Sequence, residues 1–277
     1  MSRKHIFSDI DGTILEGNYI PESTITALKT AKENGHCIYL CTGRFLAILP
    51  KQLEEIIEFD GRICSSGTYI EINKQLYLDY YYPQEFLKEM ITIFEKYPIY
   101  YSLETNHVVF FSDDDEELLT LFPNAKSHHV TSENYGNPLY SSAYIFDKDK
   151  PWPLTNKICL FQPKKPDLLK EITELLPSEY VLATQEMPVG DMWYCEVSPR
   201  NISKSSAINY LISNHNIPYE DTFALGDSMN DYEMIKSAHT GIVMGNGDHR
   251  LKEVADYITD DLDDDGYYKA FKHFGLI

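Results

Sequence analysis

The segment His5-Ile6-Phe7-Ser8-Asp9-Ile10-Asp11-Gly12-Thr13-Ile14-Leu15 begins as an apolar strand and runs into two acidic residues. Side chains two residues apart in an extended chain project to the same side, so Asp9 and Asp11 are expected to face one ligand. Gly12 lets the backbone turn away sharply after them. Because close carboxylates repel each other, the pair indicates a divalent cation and an anionic substrate, with the Thr13 hydroxyl in reach. A surface turn, for which Asp and Gly are also common, is the alternative.

Strand and helix patterns alternate in the first third of the chain and again after residue 199. The predicted strands are residues 5–8, 37–41, 62–65, 222–225, 241–244 and 256–259. The predicted helices are residues 22–34, 47–59, 205–214, 231–237 and 249–254. Such alternation is typical of parallel strands joined by crossover helices, so we expect an α/β fold with a doubly wound, Rossmann-like parallel sheet.

The middle of the chain has a different pattern and predicts an inserted α/β domain. A hairpin is expected within residues 69–79, and the run Tyr80-Tyr81-Tyr82-Pro83 marks the change. The elements predicted after it are helices at residues 83–97 and 165–176 and strands at 100–105, 108–112, 156–161 and 192–197. We therefore divide the chain into a core, residues 1–82 and 199–277, and an insertion, residues 83–198.

Charge and cysteine content exclude several classes of protein. The 277 residues carry a formal net charge of -19, which opposes contact with nucleic acid and with anionic membranes. The acidic runs at residues 113–117 and 260–265 are expected to be solvated loops or helix starts. Five cysteines without zinc-ligand spacing are expected to be reduced thiols, and no segment is long and apolar enough to span a bilayer. A cytoplasmic enzyme is the resulting expectation.

A second apolar strand, at residues 222–225, also runs into acidic residues. Gly226 permits close backbone approach, Asp227 follows it, and Asp231 stands at a helix start. Mg²⁺ prefers oxygen ligands, so the carboxylates of Asp9 and Asp227, a backbone carbonyl and a phosphate oxygen would form a site for it. An N-cap turn is the alternative, and it explains Asp231 better than Asp227.

Two further segments offer groups that can hold a phosphate. Thr42 and Gly43 follow a predicted strand and present a hydroxyl and backbone N–H groups, although an ordinary turn is an alternative. Lys204 lies at the start of a predicted helix, where its charge is poorly matched to the helix dipole. This unfavourable placement indicates a partner for Lys204, and an incoming phosphate is one candidate, unless the lysine is simply solvated.

Taken together and in this order, the segments resemble the four motifs of the haloacid dehalogenase superfamily. The first motif is residues 9–13, the second Thr42, the third Lys204 and the fourth residues 226–231. The large insertion and the later run at residues 241–246 are similar to the Cof-type phosphatases, which have a big α/β cap. Two positions depart from that pattern, because this chain has Ser66-Gly67 for Asn-Gly and Phe45 for a common proline. Both concern substrate positioning.

The resemblance implies a role for each residue of the site. It implies Asp9 as the nucleophile that forms an aspartyl-phosphate and Asp11 as general acid and base. It further implies Mg²⁺ at Asp9, Asp11 and Asp227, phosphate binding by Thr42, Gly43, Lys204 and Asn230, and supporting roles for Asp231 and Arg44. Residues 83–198 become the cap, which should close over the core and contact the leaving group.

The implied activity is hydrolysis of phosphate monoesters of small metabolites such as sugar phosphates. One alternative is a phosphomutase or phosphotransferase, which differs only in whether water or a second hydroxyl accepts the phosphoryl group. A phosphoryl-accepting receiver module is a third reading, but it has no use for a leaving-group acid such as Asp11. The expected partner is a small phosphate ester rather than nucleic acid or membrane, and the sequence leaves the oligomeric state open.

Some residues of the insertion could select the substrate. Trp152, Asp191, Trp193 and the tyrosines near Tyr80 could line a pocket, but aromatic residues at strand spacing are more often part of a core. The pair His128-His129 could bind a metal, but the sequence suggests no third ligand near it.

Overall fold

The computed structural model describes residues 2–112, 143–186 and 192–277. The expectations for residues 113–117, His128, His129 and Asp191 lie outside the described residues.

In chain order the strands are β1 (His5–Ser8), β2 (Cys37–Cys41), β3 (Gly61–Cys64), β4 (Tyr69–Ile72), β5 (Gln75–Asp79), β6 (Tyr100–Glu104), β7 (Val109–Phe111), β8 (Ala143–Ile145), β9 (Lys157–Pro163), β10 (Tyr180–Glu186), β11 (Met192–Pro199), β12 (Thr222–Gly226), β13 (Thr240–Val243) and β14 (Tyr257–Ile258). The helices are α1 (Glu22–Glu33), α2 (Lys51–Ile56), α3 (Gln84–Phe94), α4 (Pro166–Leu175), α5 (Lys204–Asn214), α6 (Tyr232–Ser237), α7 (His249–Lys252) and α8 (Gly266–His273). The chain divides into two units. The first is Met1–Arg44, Leu49–Asp79 and Ile202–Ile277, and the second is Phe45–Ile48 and Tyr80–Asn201.

The first unit is built on an eight-stranded sheet with the order β14-β13-β12-β1-β2-β3-β4-β5. The strands from β14 to β3 are parallel, and β4 and β5 continue the sheet as antiparallel strands. Ile6 and Phe7 of the central strand β1 are fully buried, as expected for a strand covered on both faces. The α/β fold with a doubly wound parallel sheet, predicted from the alternation of strands and helices, is confirmed.

Helices of the first unit pack in two groups. Helix α1 packs against α8, and α5 packs against α6. Buried residues of α5 and α6, among them Leu211 and Met234, share one apolar cluster with Phe7 of β1 and Ile63 of β3. The sheet is therefore held by continuous apolar packing, which fixes the ends of its strands.

The second unit is a six-stranded sheet with the order β10-β11-β9-β6-β7-β8. All its pairings are antiparallel except that of β7 with β8. Apolar residues of α3 and α4, such as Met90 and Ile172, pack with Leu103, Leu160 and Val197 of the sheet. This is the helix-on-sheet layer predicted for the insertion, and it contains the partly buried Trp152 and Trp193 in its packing.

The helix predicted at residues 47–59 is present but shorter, because only Lys51–Ile56 are α-helical. A short 3-10 turn occupies Leu46–Ile48, and the α-helix begins only at Lys51, after Pro50. Proline has no N–H to donate and restricts the residue before it, so it separates the two pieces. The first piece belongs to the second unit, where Phe45 packs with Val109 and Phe111.

Two other expectations concern local features. The hairpin is present, and its turn residues Asn73 and Lys74 have left-handed φ values of 50° and 64°. All five cysteines are free thiols, and four of them are buried. Within the described part of the chain, no helix is long and apolar enough to cross a membrane.

Candidate active site

The acidic residues of the two motifs follow adjacent strands. Strand β1 pairs with β12, and the Asp9 N–H donates to the Leu225 carbonyl at 2.9 Å. Strand β2, which precedes Thr42, pairs with the other side of β1. Because all three strands are parallel, Asp9, Thr42 and Asp227 lie at the same edge of the sheet.

A tight turn over residues 10–15 follows Asp9. The Ile10 carbonyl accepts hydrogen bonds from the N–H groups of Thr13, Ile14 and Leu15. Gly12 has a φ of +74°, and a Cβ added to it would lie 2.4 Å from Asp227 Oδ2. Glycine is therefore required here both for the backbone angle and for the close approach of the two motifs.

Lys204 is buried between two carboxylates. Its Nζ donates to Asp9 Oδ1 at 2.7 Å and to Asp231 Oδ1 at 2.6 Å, and all three side chains are buried. Lys204 is the first residue of α5, whose N-terminus is capped reciprocally by Ser203 and Ser206. The partners of Lys204 within the fold are these two carboxylates, whereas the sequence suggested an incoming phosphate as one candidate.

Asp231 uses both of its oxygens within the fold. Oδ1 accepts from Lys204, and Oδ2 accepts from the backbone N–H groups of Asp227 and Ser228, each at 3.1 Å. A Cβ added to Gly226 would lie 2.6 Å from the Asp231 carboxyl group, so this glycine permits the approach foreseen from the sequence. Asp231 thereby shapes the connection between β12 and α6.

The three carboxylates of Asp9, Asp227 and Asp231 form a group that could hold a metal ion, with one oxygen of each within 4.8 Å of the others. Burial and the Asp231 carboxylate raise the pKa of Asp9 well above its usual range, although Lys204 opposes them. The same two causes raise the pKa of Asp227 to about 7. Because Asp9 and Asp227 resist ionisation without a nearby cation, and because oxygen donors suit hard cations, the donor set fits a divalent metal.

Asp11 lies in different surroundings from Asp9. Strand β1 ends at Ser8, so the alternation of an extended chain does not reach Asp11. Its carboxylate receives two hydrogen bonds from Arg44, from Nε at 2.8 Å and from Nη2 at 2.5 Å, and the side chain is 52% exposed. The structure thus places Asp231, rather than the Asp11 carboxylate, beside Asp9 and Asp227.

The other residues predicted to bind phosphate, Thr42 and Asn230, form hydrogen bonds with groups other than the three carboxylates. Thr42 is buried, and its hydroxyl accepts from the Arg44 N–H at 3.1 Å across Gly43. Asn230 is exposed, and its Oδ1 accepts from the Ser228 hydroxyl at 2.7 Å. Thr13, foreseen as a hydroxyl in reach, donates from Oγ1 to Asp227 Oδ1 at 3.1 Å.

The turn after β3 contains Ser66-Gly67, where the sequence departs from the family pattern. Ser65 and Ser66 have φ values of 49° and 55°, and Gly67 has a φ of 106°. A Cβ added to Gly67 would lie 2.4 Å from the Ser203 carbonyl, so glycine at this position lets the end of β3 pack against the start of α5.

Comparison with known proteins gives a family match over nearly the whole chain. Residues 6–271 match the model of the haloacid dehalogenase-like hydrolases. The putative phosphatase YkrA of Bacillus subtilis is 28% identical, with all of both chains covered. The 5-amino-6-(5-phospho-D-ribitylamino)uracil phosphatase YitU of Bacillus subtilis is 24% identical, with 96% of this chain and 95% of YitU covered.

Solved structures agree with this match. The sugar phosphatase BT4131, of haloacid dehalogenase subclass IIB, superposes with a TM-score of 0.81 at 27% identity, covering 99% of this chain and 100% of that one. The resemblance stated from the motifs is therefore confirmed. The chain belongs to the haloacid dehalogenase-like hydrolases and is a Cof-type phosphatase of that family.

Proposed function

We propose that this phosphatase hydrolyses phosphate monoesters of small metabolites through an aspartyl-phosphate on Asp9, with Mg²⁺ as its metal. The observation that carries the proposal is the position of the Asp9 carboxylate. It is buried at a strand end, held by Lys204 at 2.7 Å, and grouped with Asp227 and Asp231. A carboxylate in this setting can act as a nucleophile when the charge around it is neutralised.

Asp9 and Asp227 are the proposed metal ligands. One oxygen of each already accepts a hydrogen bond, from Lys204 and from Thr13, and the other is directed to no donor among the described residues. Asp231 is already engaged at both oxygens and would instead orient Lys204. A bound Mg²⁺ supplies positive charge that keeps Asp9 ionised and offsets the charge of the phosphate.

The reaction would proceed in two steps. In the first, an Asp9 oxygen bonds to phosphorus while the bond from phosphorus to the ester oxygen breaks, and Asp11 gives a proton to that oxygen. In the second, Asp11 takes a proton from water, which attacks phosphorus and releases Asp9. Proton transfer of this kind is worth typically about 10²–10⁴-fold in rate.

The remaining predicted residues would bind and orient the phosphate. Lys204 carries the positive charge nearest to Asp9, and Thr42 and Gly43 offer a hydroxyl and a backbone N–H at the neighbouring strand end. Asn230 would assist them. Arg44, which pairs with Asp11, would hold the acid in place when no substrate is bound.

We propose that the second unit selects the leaving group and that sugar phosphates or similar polyol phosphates are the substrates. Support for this class comes from BT4131, a sugar phosphatase, and from YitU, which acts on a phosphorylated ribityl compound. The free thiols of the chain fit the cytoplasmic location expected from the sequence.

The test is phosphate release from p-nitrophenyl phosphate and from a panel of sugar phosphates. We expect turnover with Mg²⁺, none in excess chelator, and none from Asp9→Asn under any condition. Asp60→Asn is the matched control, because Asp60 also pairs with a lysine, Lys32, at 2.6 Å, but outside the site. Turnover by Asp9→Asn would refute the nucleophile, and turnover in chelator would refute the metal. Transfer of phosphate to an added sugar instead of water would indicate a phosphotransferase.

A further inference from the structure

The loop after β13, residues 244–248, is tied to the end of β12. The Met244 N–H donates to the Gly226 carbonyl at 3.1 Å, and the Asp248 N–H donates to the Asp227 carbonyl at 2.7 Å. These two hydrogen bonds join the loop to the strand end that carries Asp227. It lies next to the turn over residues 10–15 that follows Asp9.

One side chain of this loop links it to that turn. The Asn246 Nδ2 donates to the Gly12 carbonyl at 2.9 Å, and Asn246 Oδ1 accepts from the Leu262 N–H at 3.0 Å. Both ends of the amide are thus engaged with backbone groups from segments far apart in sequence. Because Asn246 is exposed, apolar burial does not explain its placement.

We propose that Asn246 is a positioning residue for the turn over residues 10–15. Gly12 stands between Asp11, the proposed acid, and Thr13, whose hydroxyl donates to Asp227 at 3.1 Å. The amide of Asn246 holds the Gly12 carbonyl against the loop at residues 244–248, which is itself hydrogen-bonded to the Asp227 carbonyl. It thereby fixes the positions of Asp11 and Thr13, the two neighbours of Gly12. The inference rests on the proposed function, because it concerns how well Asp11 is placed for proton transfer.

The role has a specific kinetic consequence. A general acid must lie within hydrogen-bond reach of the leaving oxygen, and a small displacement costs rate steeply. Alkyl phosphates depend on protonation of a poor leaving group, whereas aryl phosphates depend on it less. Loosening the turn should therefore slow an alkyl ester more than an aryl ester, whereas a general loss of folded protein slows both equally.

The kinetic test uses Asn246→Asp and Asn246→Ala. The aspartate keeps the shape of the side chain and an acceptor for the Leu262 N–H but loses the donor to Gly12. We expect kcat/KM, which reports the leaving-group step, to fall roughly tenfold for a sugar phosphate and about threefold or less for p-nitrophenyl phosphate.

The matched control is Asn34, whose Nδ2 also donates to a distant backbone carbonyl, that of Leu276, at 2.9 Å. Asn34→Asp and Asn34→Ala should leave both rates unchanged. The proposal would be overturned by any of three results: the Asn246 variants lose rate equally on the two esters, they lose no rate, or the Asn34 variants lose as much rate as they do.

Hydrogen exchange supplies a second readout that needs no turnover. The amides of residues 12–15 all donate within the turn. In both Asn246 variants they should exchange about tenfold faster, and in the Asn34 variants they should not. Unchanged exchange in the Asn246 variants would overturn the positioning role. If the unaltered protein hydrolyses neither ester, the proposed function fails, and the exchange result alone then decides the role of Asn246.

Discussion

Replacing Lys204 with methionine should destabilise the metal-free protein in a way that depends on pH. Lys204 is 3% exposed and contacts Asp9 and Asp231 at 2.7 and 2.6 Å. Removing one partner from a buried ion pair costs about 3–5 kcal/mol, because the carboxylates left behind stay buried without compensation. We expect this loss in the free energy of unfolding at pH 8 in the presence of a chelator.

The sign of the pH dependence follows from the carboxylates. Burial already raises the pKa of Asp9, and without Lys204 it should rise further above that of the unfolded chain, so the variant loses stability as pH rises and regains it as pH falls. The difference from the unaltered protein should therefore shrink between pH 8 and pH 5.5. Urea denaturation at the two pH values measures it.

The control is Lys32→Met, which removes the partly exposed pair with Asp60. This substitution should lower the free energy of unfolding by about 1 kcal/mol or less. The idea that Lys204 holds the carboxylates together would be refuted by either of two results at pH 8. The Lys204→Met variant could be as stable as the unaltered protein, or its loss in the free energy of unfolding could be no larger than that of the control.

Three further predictions concern the same site. Because the pKa of Asp227 is raised to about 7, Mg²⁺ must displace a proton below that pH, so calorimetry should find an affinity that falls about tenfold per pH unit below 7 and levels off above it. Asp11→Ala should reduce turnover of alkyl phosphates much more than that of aryl phosphates, and equal losses would argue against its role as the acid. Gly67→Ala should destabilise the protein by about 2–4 kcal/mol, because its Cβ would lie 2.4 Å from the Ser203 carbonyl. The control is Gly35→Ala, at a positive φ with open space around it, which should lower the free energy of unfolding by about 1–2 kcal/mol. Thermal or urea unfolding measures both.

The strands of the first unit could be predicted because their signal is local. The central strands β1, β2 and β12 are short apolar runs that lead into glycine or a polar residue, and this pattern reflects burial on both faces of a parallel sheet. The edge strands of the second unit were harder to predict from the sequence. Strands β8 and β10 lie at its two edges and include exposed residues such as Tyr144 and Ala183, so no strict alternation marks them.

The composition of the acidic cluster could be predicted only in part. Two strand ends bearing acids imply that the acids meet, because parallel strands end at one edge of the sheet. Which oxygen faces which atom depends on the turn over residues 10–15, and this turn separates Asp11 from Asp9. The partner of Asp11 is Arg44, and the pairing follows from the path of the chain after β2, which no local pattern encodes.

The division of the chain into two units has an evolutionary consequence. The first unit contains the whole acidic cluster, Asp9, Lys204, Asp227 and Asp231. The long stretch that interrupts this unit begins after Asp79 and ends before Ile202. The reciprocal cap of Ser203 and Ser206 clamps the helix start just beyond the re-entry point. Substitutions in the interrupting stretch therefore alter no residue of the acidic cluster, so, with the second unit as the proposed selector of the leaving group, descendants can acquire new substrates while they inherit the same reaction chemistry.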